Sequence, residues 1–194
     1  VQVQPRGTLS PLGEAARNGF TACVQLLLDH GANMEAVDDE RYTPLFAAVR
    51  GAHSSCVEVL VNARANLECK TKPLECTPLG WLCCVEPNLN LPILQMLLRG
   101  RANVDTYQFD AIARSMSPLH FAVLGDRTDA VKWLLANGAN VHAPDADGDP
   151  PILVACVADH PECCRLLLGA KADANATKHD GKTMLNAAAH GGSI

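Results

Sequence analysis

Nine cysteines and seven histidines are the side chains of this 194-residue chain best suited to chemistry. Thiolates and neutral imidazoles bind zinc, and paired thiols exchange two electrons when they form a disulfide. Four of the cysteines, Cys69, Cys76, Cys83 and Cys84, lie within a short stretch of sequence. They would form a metal or redox sensor if the fold brought their sulfur atoms together.

The spacing of these four cysteines does not favour a metal site. Structural zinc sites usually include a C-x-x-C pair, which the four do not form. Cys83 and Cys84 are adjacent, and adjacent side chains of a helix point about 100° apart. Cys69 and Cys76 stand on opposite arms of one turn, so a disulfide in an oxidising compartment is the alternative. We predict no metal ligands and no cofactor.

Catalytic and nucleic-acid-binding patterns are also missing from the sequence. It contains no glycine-rich phosphate loop and no evident Ser/His/Asp or Cys/His set, so we predict no catalytic residues and no enzyme activity. The net charge is −5 and no basic run occurs, which argues against nucleic-acid binding. The longest apolar run, Ile152 to Ala158, is too short to span a bilayer.

Cysteine usage and the chain start bear on the compartment. An odd number of cysteines without framework spacing is typical of reduced thiols inside a cell. We therefore expect an intracellular, cytoplasmic protein. The chain begins with Val1 rather than Met, which leaves a removed organelle-targeting segment open as an alternative.

One pattern repeats along the whole chain. Its Ser/Thr-Pro-Leu mark or a looser copy begins at Ser10, Thr43, Thr77, Ser117, Pro150 and Thr183. Successive steps are 33, 34, 40, 33 and 33 residues. A second mark, one residue followed by Ala-Asn or Ala-Asp, begins at Gly31, Arg64, Arg101, Gly138 and Lys171. Two independent marks with one period are strong evidence for a repeat protein.

Each mark has a physical reason in a helix-turn-helix unit. A Ser or Thr hydroxyl accepts an orphan amide at a helix start, and proline fits the first turn. Gly31 and Gly138 end the second helix because glycine adopts the left-handed conformation without strain. A non-glycine residue there costs roughly 1–2 kcal/mol. Where Arg101 and Lys171 replace the glycine, we expect the preceding Gly100 and Gly169 to take over through a shifted ending.

The stretch from Ser117 to Ala122, Ser-Pro-Leu-His-Phe-Ala, resembles the T-P-L-H-x-A signature of the ankyrin repeat. The resemblance implies an all-α solenoid of about five and a half stacked helix-turn-helix units with hairpin-like finger turns. Residues 1–7 would be an extension of a single domain, 8–194, with units at about 8–40, 41–74, 75–114, 115–147, 148–180 and 181–194 (partial). The resemblance implies a structural role for His120, which would join neighbouring turns by hydrogen bonds.

The repeat also assigns places to the remaining cysteines and to the chain ends. Cys23, Cys56 and Cys163 share one column of small apolar core positions, where a free cysteine acts as a small hydrophobe. Neither terminal unit shows the polar outer face of a capping repeat. We therefore expect either a segment of a longer chain or a partner that covers the ends.

The resemblance implies protein binding on the concave face formed by the finger turns and first helices. Aromatic and methionine side chains within a polar rim are typical of an interface centre. The predicted partner-binding residues are Tyr42, Leu74, Trp81, Val85, Tyr107, Phe109, Met116, Phe121 and Leu124. Packing of Trp81 and Phe121 between helices is the alternative for those two. Acidic residues at one finger, Asp38, Asp39 and Glu40, would favour a basic flank on the partner.

We therefore predict a non-catalytic scaffold or adaptor that binds a protein segment with an apolar side. Two alternatives have the same fold. One is a structural subunit of a larger multiprotein assembly. The other is a targeting domain of a larger enzyme, such as a kinase or ubiquitin ligase, whose catalytic part lies outside this sequence.

Overall fold

The computed structural model describes residues 10–72, 75–84, 90–109 and 115–177. Contacts group the chain into two compact units, one within residues 1–82 and 86–103 and the other within residues 83–85 and 104–194. The predicted single domain over 8–194, with its six unit boundaries, stays a prediction.

Helix pairs account for nearly all the regular structure of the described residues. The first helices are α1 (Pro11–Arg17), α3 (Pro44–Arg50), α5 (Pro78–Cys84), α7 (Pro118–Leu124) and α9 (Pro151–Val157). The second helices are α2 (Thr21–Asp29), α4 (Ser54–Asn62), α6 (Leu91–Arg99), α8 (Thr128–Ala136) and α10 (Pro161–Gly169). Strands β1 (Gln108–Phe109) and β2 (Ser115–Met116) pair antiparallel, with Gln108 opposite Met116. This arrangement confirms the predicted all-α fold of helix-turn-helix units.

Equivalent helices stack on one another within each unit. In the first unit α1 contacts α3, α2 contacts α4, and α4 contacts α6. In the second unit α7 contacts α9, and α8 contacts α10. Each helix pair thereby buries its apolar side against the next pair, which a single pair could not do alone.

The helix starts lie where the Ser/Thr-Pro mark predicts them. The amide of Gly13 donates to the hydroxyl of Ser10, at 3.1 Å. The amide of Phe46 donates to Thr43, and that of Gly80 donates to Thr77, both at 3.2 Å. These caps satisfy amides that have no partner within the helix.

The helix endings correct one prediction. Arg64, Arg101 and Lys171 themselves adopt the left-handed conformation, with φ of 66°, 69° and 69°. Gly100 stays right-handed at φ −68°, and Gly169 is the last residue of α10, so the expected shifted endings are wrong. The cause is a hydrogen bond that recurs in all five repeats: the alanine in the second position of each mark donates its amide to a carbonyl inside the helix. That bond fixes the place of the left-handed residue whatever its type.

We expect Arg101→Gly to raise the free energy of unfolding by about 1 kcal/mol, because glycine relieves left-handed strain and loses only part of that gain to its flexibility in the unfolded chain. Urea unfolding monitored by circular dichroism measures the change. The control is Arg99→Gly, inside α6, which should cost about 1 kcal/mol. If both substitutions changed the free energy of unfolding in the same direction, the helix ending assigned to Arg101 would be contradicted.

Three carboxylates each link one repeat to the following repeat. Glu35 accepts the amide of Asn66 at 2.8 Å, and Glu68 accepts the amide of Asn103 at 2.8 Å. In the second unit Asp105 accepts the amide of Asn140 at 3.0 Å. We call these three bonds the carboxylate ladder. Each one satisfies a backbone amide that precedes an exposed turn.

A second set of links joins the turns between helices. The His53 ring donates to the carbonyl of Arg17 at 3.0 Å, and the His160 ring donates to that of Leu124 at 3.3 Å. Arg127, at the equivalent position, donates to the carbonyls of Cys83 and Cys84.

Glycine makes room for one of these rings. A Cβ atom on Gly51 would lie 2.5 Å from the His53 ring, which is closer than real atoms approach. Glycine leaves this space for the His53 ring, whereas the repeat in which His160 forms the same link has Ala158 at the equivalent position.

The cysteines occupy the predicted core column with one exception. Cys56 and Cys163 are fully buried, and the Cys56 sulfur contacts the Thr21 hydroxyl at 3.3 Å. Cys23 is exposed, so its assignment to the core is wrong. The buried members of this column face the preceding repeat.

His120 has the structural role that the resemblance implied. Its side chain is fully buried between two finger turns. Nδ1 accepts the amide of Ser117 at 3.3 Å and lies 2.8 Å from the Ser117 hydroxyl. Because Nδ1 accepts, Nε2 carries the hydrogen and donates to the carbonyl of Asp149 at 3.1 Å. Burial lowers the pKa of the ring, which favours this neutral state.

Candidate functional site

The predicted partner-binding residues fall in different places. Tyr42 and Trp81 belong to the first unit, whereas Tyr107, Met116, Phe121 and Leu124 belong to the second. Leu74 and Val85 lie outside the described residues. The backbone of Phe109 forms β1 with Gln108.

An aromatic group surrounds an exposed arginine in the first unit. Tyr42 stacks on Phe46 with ring centroids 4.9 Å apart, and Phe46 meets Trp81 edge-on at 5.5 Å. The Arg50 guanidinium lies 5.2 Å from the centroid of Tyr42 and 5.9 Å from that of Trp81. We call Tyr42, Phe46, Arg50 and Trp81 the Arg50 cluster. Phe46 is fully buried and anchors the cluster, while Tyr42 and Trp81 are half-buried.

The Arg50 cluster borders an open cleft of about 420 Å³. The finger supplies Asp38 and Glu40, and the first helices supply Arg17 and Arg50. Asp38 holds the finger in shape because its carboxylate accepts the amides of Glu40 and Tyr42, at 3.0 and 2.8 Å. The cleft thus presents both signs of charge beside aromatic surface.

Two polar groups of the cluster bear on what it can bind. The indole N–H of Trp81 is buried and has no hydrogen-bond partner among the described residues. Burial is the main reason that the pKa of the Tyr42 hydroxyl is raised, and a hydrogen bond with Glu40 raises this pKa further. Tyr42 therefore stays neutral at physiological pH, and its ring face attracts the guanidinium of Arg50.

Two of the predicted contact residues are buried in the interior of the second unit. Met116 and Phe121 are 1% and 5% exposed, so neither presents its side chain freely to a partner in this conformation. Phe121 packs among the helices, as its alternative assignment holds. Tyr107 is half-buried and donates its hydroxyl to the carbonyl of Pro144 at 2.7 Å. That bond fastens one finger to the next.

Leu124 lies with residues of the following repeat around a small groove of about 150 Å³. Apolar side chains from α7 and α9 form its floor, and a finger forms its rim. The lining residues are Met116, Leu124, Asp145, Asp147, Asp149, Leu153, Val154, Val157 and Ala158. We call this the Asp-rimmed groove. Leu124 and Val157 are 42% and 54% exposed, which is high for large aliphatic side chains at the ends of two helices.

The chemical side chains do not assemble a metal site in the described part of the chain. No group of three or more Cys, His, Asp or Glu side chains there is placed to hold a metal ion. No two of the nine cysteines, all of which lie in the described part of the chain, form a disulfide bond. Burial raises the pKa values of Cys83 and Cys163 to about 12, so these thiols stay protonated and weakly nucleophilic at neutral pH.

The sequence-based prediction missed two exposed residues of the first helices. The predicted contact residues do not include Arg50 and Val157. Both stand at the last position of a first helix, as Leu124 does. The signal that identifies them is this shared column, whose residues the repeat leaves exposed on the finger side.

Among the described residues, no helix is both long enough and apolar enough to cross a membrane.

Comparisons with known proteins identify the family. The sequence model described as ankyrin repeats (3 copies) matches residues 2–71 and 119–194, about three quarters of the chain. A crystal structure of an ankyrin repeat domain from Acinetobacter baumannii superposes with a TM-score of 0.83. The match covers 94% of this chain and 92% of that chain at 24% identity, which supports the fold alone.

Three curated relatives share parts of the sequence. Human neurogenic locus notch homolog protein 4 is 37% identical over 111 residues, 57% of this chain and 5% of its own length. Human protein phosphatase 1 regulatory subunit 27 is 38% identical over 66 residues, 34% of this chain and 43% of its own length. The E3 ubiquitin-protein ligase KEG of Arabidopsis thaliana is 36% identical over 91 residues, 46% of this chain and 5% of its own length. The chain thus spans less than half the length of each.

Ankyrin repeats generally mediate protein–protein interactions and are typically non-catalytic. The period, the helix pairs with their caps and the matched residues agree, and this chain belongs to the ankyrin-repeat family.

Proposed function

We propose that the chain is a non-catalytic interaction module, a scaffold or adaptor, that holds a partner protein against its finger turns and first helices. The Arg50 cluster is the observation that carries this proposal. Arginine, tyrosine and tryptophan are the residues most enriched among those that dominate binding energy at protein interfaces. Here the Arg50 guanidinium lies within 6 Å of the ring centroids of both Tyr42 and Trp81, at the border of a cleft.

Contacts within the chain hold the side chains of the cluster in place. Tyr42 is held by its stack on buried Phe46, and its amide is bound by Asp38. Arg50 rests on two aromatic rings, which restrict its side chain. Groups that are fixed in the free protein lose less conformational entropy on binding. A partner that contributes a carboxylate to Arg50 and an apolar side chain to the cleft would use both properties.

We expect Arg50→Ala to weaken partner binding about tenfold or more, because arginine is enriched among the interface residues that dominate binding and a loss of about 1.4 kcal/mol is tenfold in affinity. The partner is first captured by in-cell photocrosslinking to the tagged chain and identified by mass spectrometry. The purified partner is then titrated against each variant by biolayer interferometry. Arg50 is exposed, so its removal should leave the melting temperature nearly unchanged.

The matched control is Arg99→Ala, which removes another exposed arginine of the first unit from the end of a second helix. It should leave binding within a factor of two. Equal affinities for the two variants, with both folds intact, would rule out the Arg50 cluster as the contact surface. Capture of no protein partner would count against the function itself.

A targeting role within a larger enzyme is the second candidate function. It is favoured by the likeness to part of a ubiquitin-protein ligase and to a phosphatase regulatory subunit. In this case the same repeats would bring a substrate to a catalytic region elsewhere in the protein. The endogenous protein would then be much larger than 194 residues on an immunoblot, and its immunoprecipitate would have ligase, kinase or phosphatase activity.

A further inference from the structure

The Asp-rimmed groove leaves aliphatic surface open at two neighbouring repeats. Leu124 ends α7 and Val157 ends α9, so the two side chains occupy the same column one repeat apart. Val154, half-buried, lies one helical turn before Val157 and continues the apolar floor. Contiguous aliphatic surface within a polar rim is more typical of a contact site than isolated exposed residues are.

The size of the groove indicates what kind of occupant it suits. Its volume of about 150 Å³ is well below the 300–1,000 Å³ of sites that enclose a drug-sized ligand. One or two aliphatic side chains of a protein segment fit a groove of this size. The groove is also open along one side, so the remainder of the segment can lie outside it.

The rim determines the charge of the partner. Asp145, Asp147 and Asp149 all line the groove, and the described lining residues include no Lys, Arg or His. The Asp145 carboxylate accepts the amides of Asp147 and Asp149, both at 2.9 Å, which fixes the turn that holds the rim. Asp147 is exposed at the tip of this turn. A fixed concentration of negative charge beside apolar surface favours cationic partners and repels acidic ones.

We propose that the Asp-rimmed groove binds a protein segment in which one or two aliphatic side chains are flanked by lysine or arginine. This inference rests on the proposed function, because it specifies the chemistry of a partner segment. A second copy of the chain is a poor occupant. The chain carries a net charge of −5, and pairing of two such grooves would oppose their carboxylates.

The test uses three synthetic peptides and the whole chain. The first peptide is Lys-Lys-Ser-Leu-Val-Leu-Ser-Lys-Lys with blocked ends. The second has glutamate in place of every lysine, and the third has serine in place of the three aliphatic residues. Fluorescence anisotropy gives the affinities at low and at physiological salt. Methyl NMR spectra locate binding, with the signals of Leu124, Val154 and Val157 expected to shift first.

We expect only the first peptide to bind, with an affinity that falls as salt is added. Asp147→Lys should weaken it at least tenfold, because that change reverses a rim charge that supports no described hydrogen bond of its own side chain. Val157→Ser should weaken it about fivefold. Matched controls are Glu58→Lys and Val37→Ser, which change an exposed acidic residue of α4 and an exposed valine of the first unit. Both controls should bind like the unchanged protein.

Several outcomes would overturn the groove assignment. These are equal binding of the lysine and glutamate peptides, no binding of any peptide, or affinities that Asp147→Lys and Val157→Ser leave unchanged. Self-association in sedimentation that Val157→Ser abolishes would make a second copy the occupant and equally overturn it. Variants that lose their melting transition are replaced by Asp147→Asn and Val157→Thr, with weaker binding still expected.

Failure here is distinguishable from failure of the proposed function. The comparison of Arg50→Ala with Arg99→Ala uses a captured partner and residues of the first unit only. Partner loss with Arg50→Ala but no peptide binding would overturn the groove alone. Peptide binding at the groove with no effect of Arg50→Ala would overturn the Arg50 cluster and leave the groove.

Discussion

Leu134→Ala should lower the free energy of unfolding by about 2–5 kcal/mol, which is the range for leucines truncated in a well-packed core. Leu134 lies in α8 and is fully buried. Leu167 has the equivalent place in α10, where it is also fully buried. Truncation leaves a cavity between stacked helices that cannot close without moving both of them. Urea unfolding followed by circular dichroism gives the change as a shift of the midpoint.

The substitution should weaken partner binding only through the unfolded fraction. Binding measured well below the unfolding midpoint should therefore match that of the unchanged chain. The control is Leu168→Ala, which truncates a leucine of α10 that is 45% exposed and should cost about 0.5 kcal/mol. A similar loss in the free energy of unfolding for Leu134→Ala and Leu168→Ala would show that the helices do not stack as described. Loss of binding by folded Leu134→Ala protein would place the contact on the second helices instead.

His120→Leu should lower the free energy of unfolding by about 1–3 kcal/mol, because it leaves a buried amide without its acceptor and removes one of the two described donors to a carbonyl. The amide belongs to Ser117 and the carbonyl to Asp149. The same leucine substitution at exposed His142 is the control and should have little effect. Thermal unfolding at neutral pH measures both. Equal stability of the two variants would contradict the role of His120 as a link between finger turns.

His120 also makes stability depend on pH. Burial holds its folded pKa below the ordinary value, so the unfolded chain binds a proton more readily than the folded protein. Its contribution is fully present above the unfolded pKa of about 6.5 and is lost as pH falls from there toward the folded pKa. Urea midpoints measured between about pH 7.5 and 5 test this. The fall of the urea midpoint between these pH values should be smaller in His120→Gln. If the substitution left that fall unchanged, other titrating groups would be its cause.

The sequence predicts the fold well because its signals are local and recur. Ser10, Thr43 and Thr77 each cap a helix through an amide three residues on, which needs no knowledge of distant contacts. The structural role of His120 also follows from its place in the repeat. The predicted family and all-α fold class are confirmed.

The candidate site is less accessible to sequence reasoning, because exposure depends on packing between repeats. Phe121 and Leu124 are apolar residues of one short helix, yet the first is 5% exposed and the second 42%. Their types alone do not distinguish them. Sequence reasoning is limited in the same way for the backbone. Residue type favours Gly100 for the left-handed conformation, but the hydrogen bond of the Ala102 amide places Arg101 in it.

The carboxylate ladder has a consequence for how such a chain changes in length. Its bonds join residues 31, 35 and 35 positions apart, close to the repeat itself. Excision or duplication of one complete repeat would bring an equivalent acid to an equivalent amide. A partial insertion would separate them. The ladder therefore allows complete repeats to be gained or lost during evolution, because equivalent hydrogen bonds form between the repeats that remain.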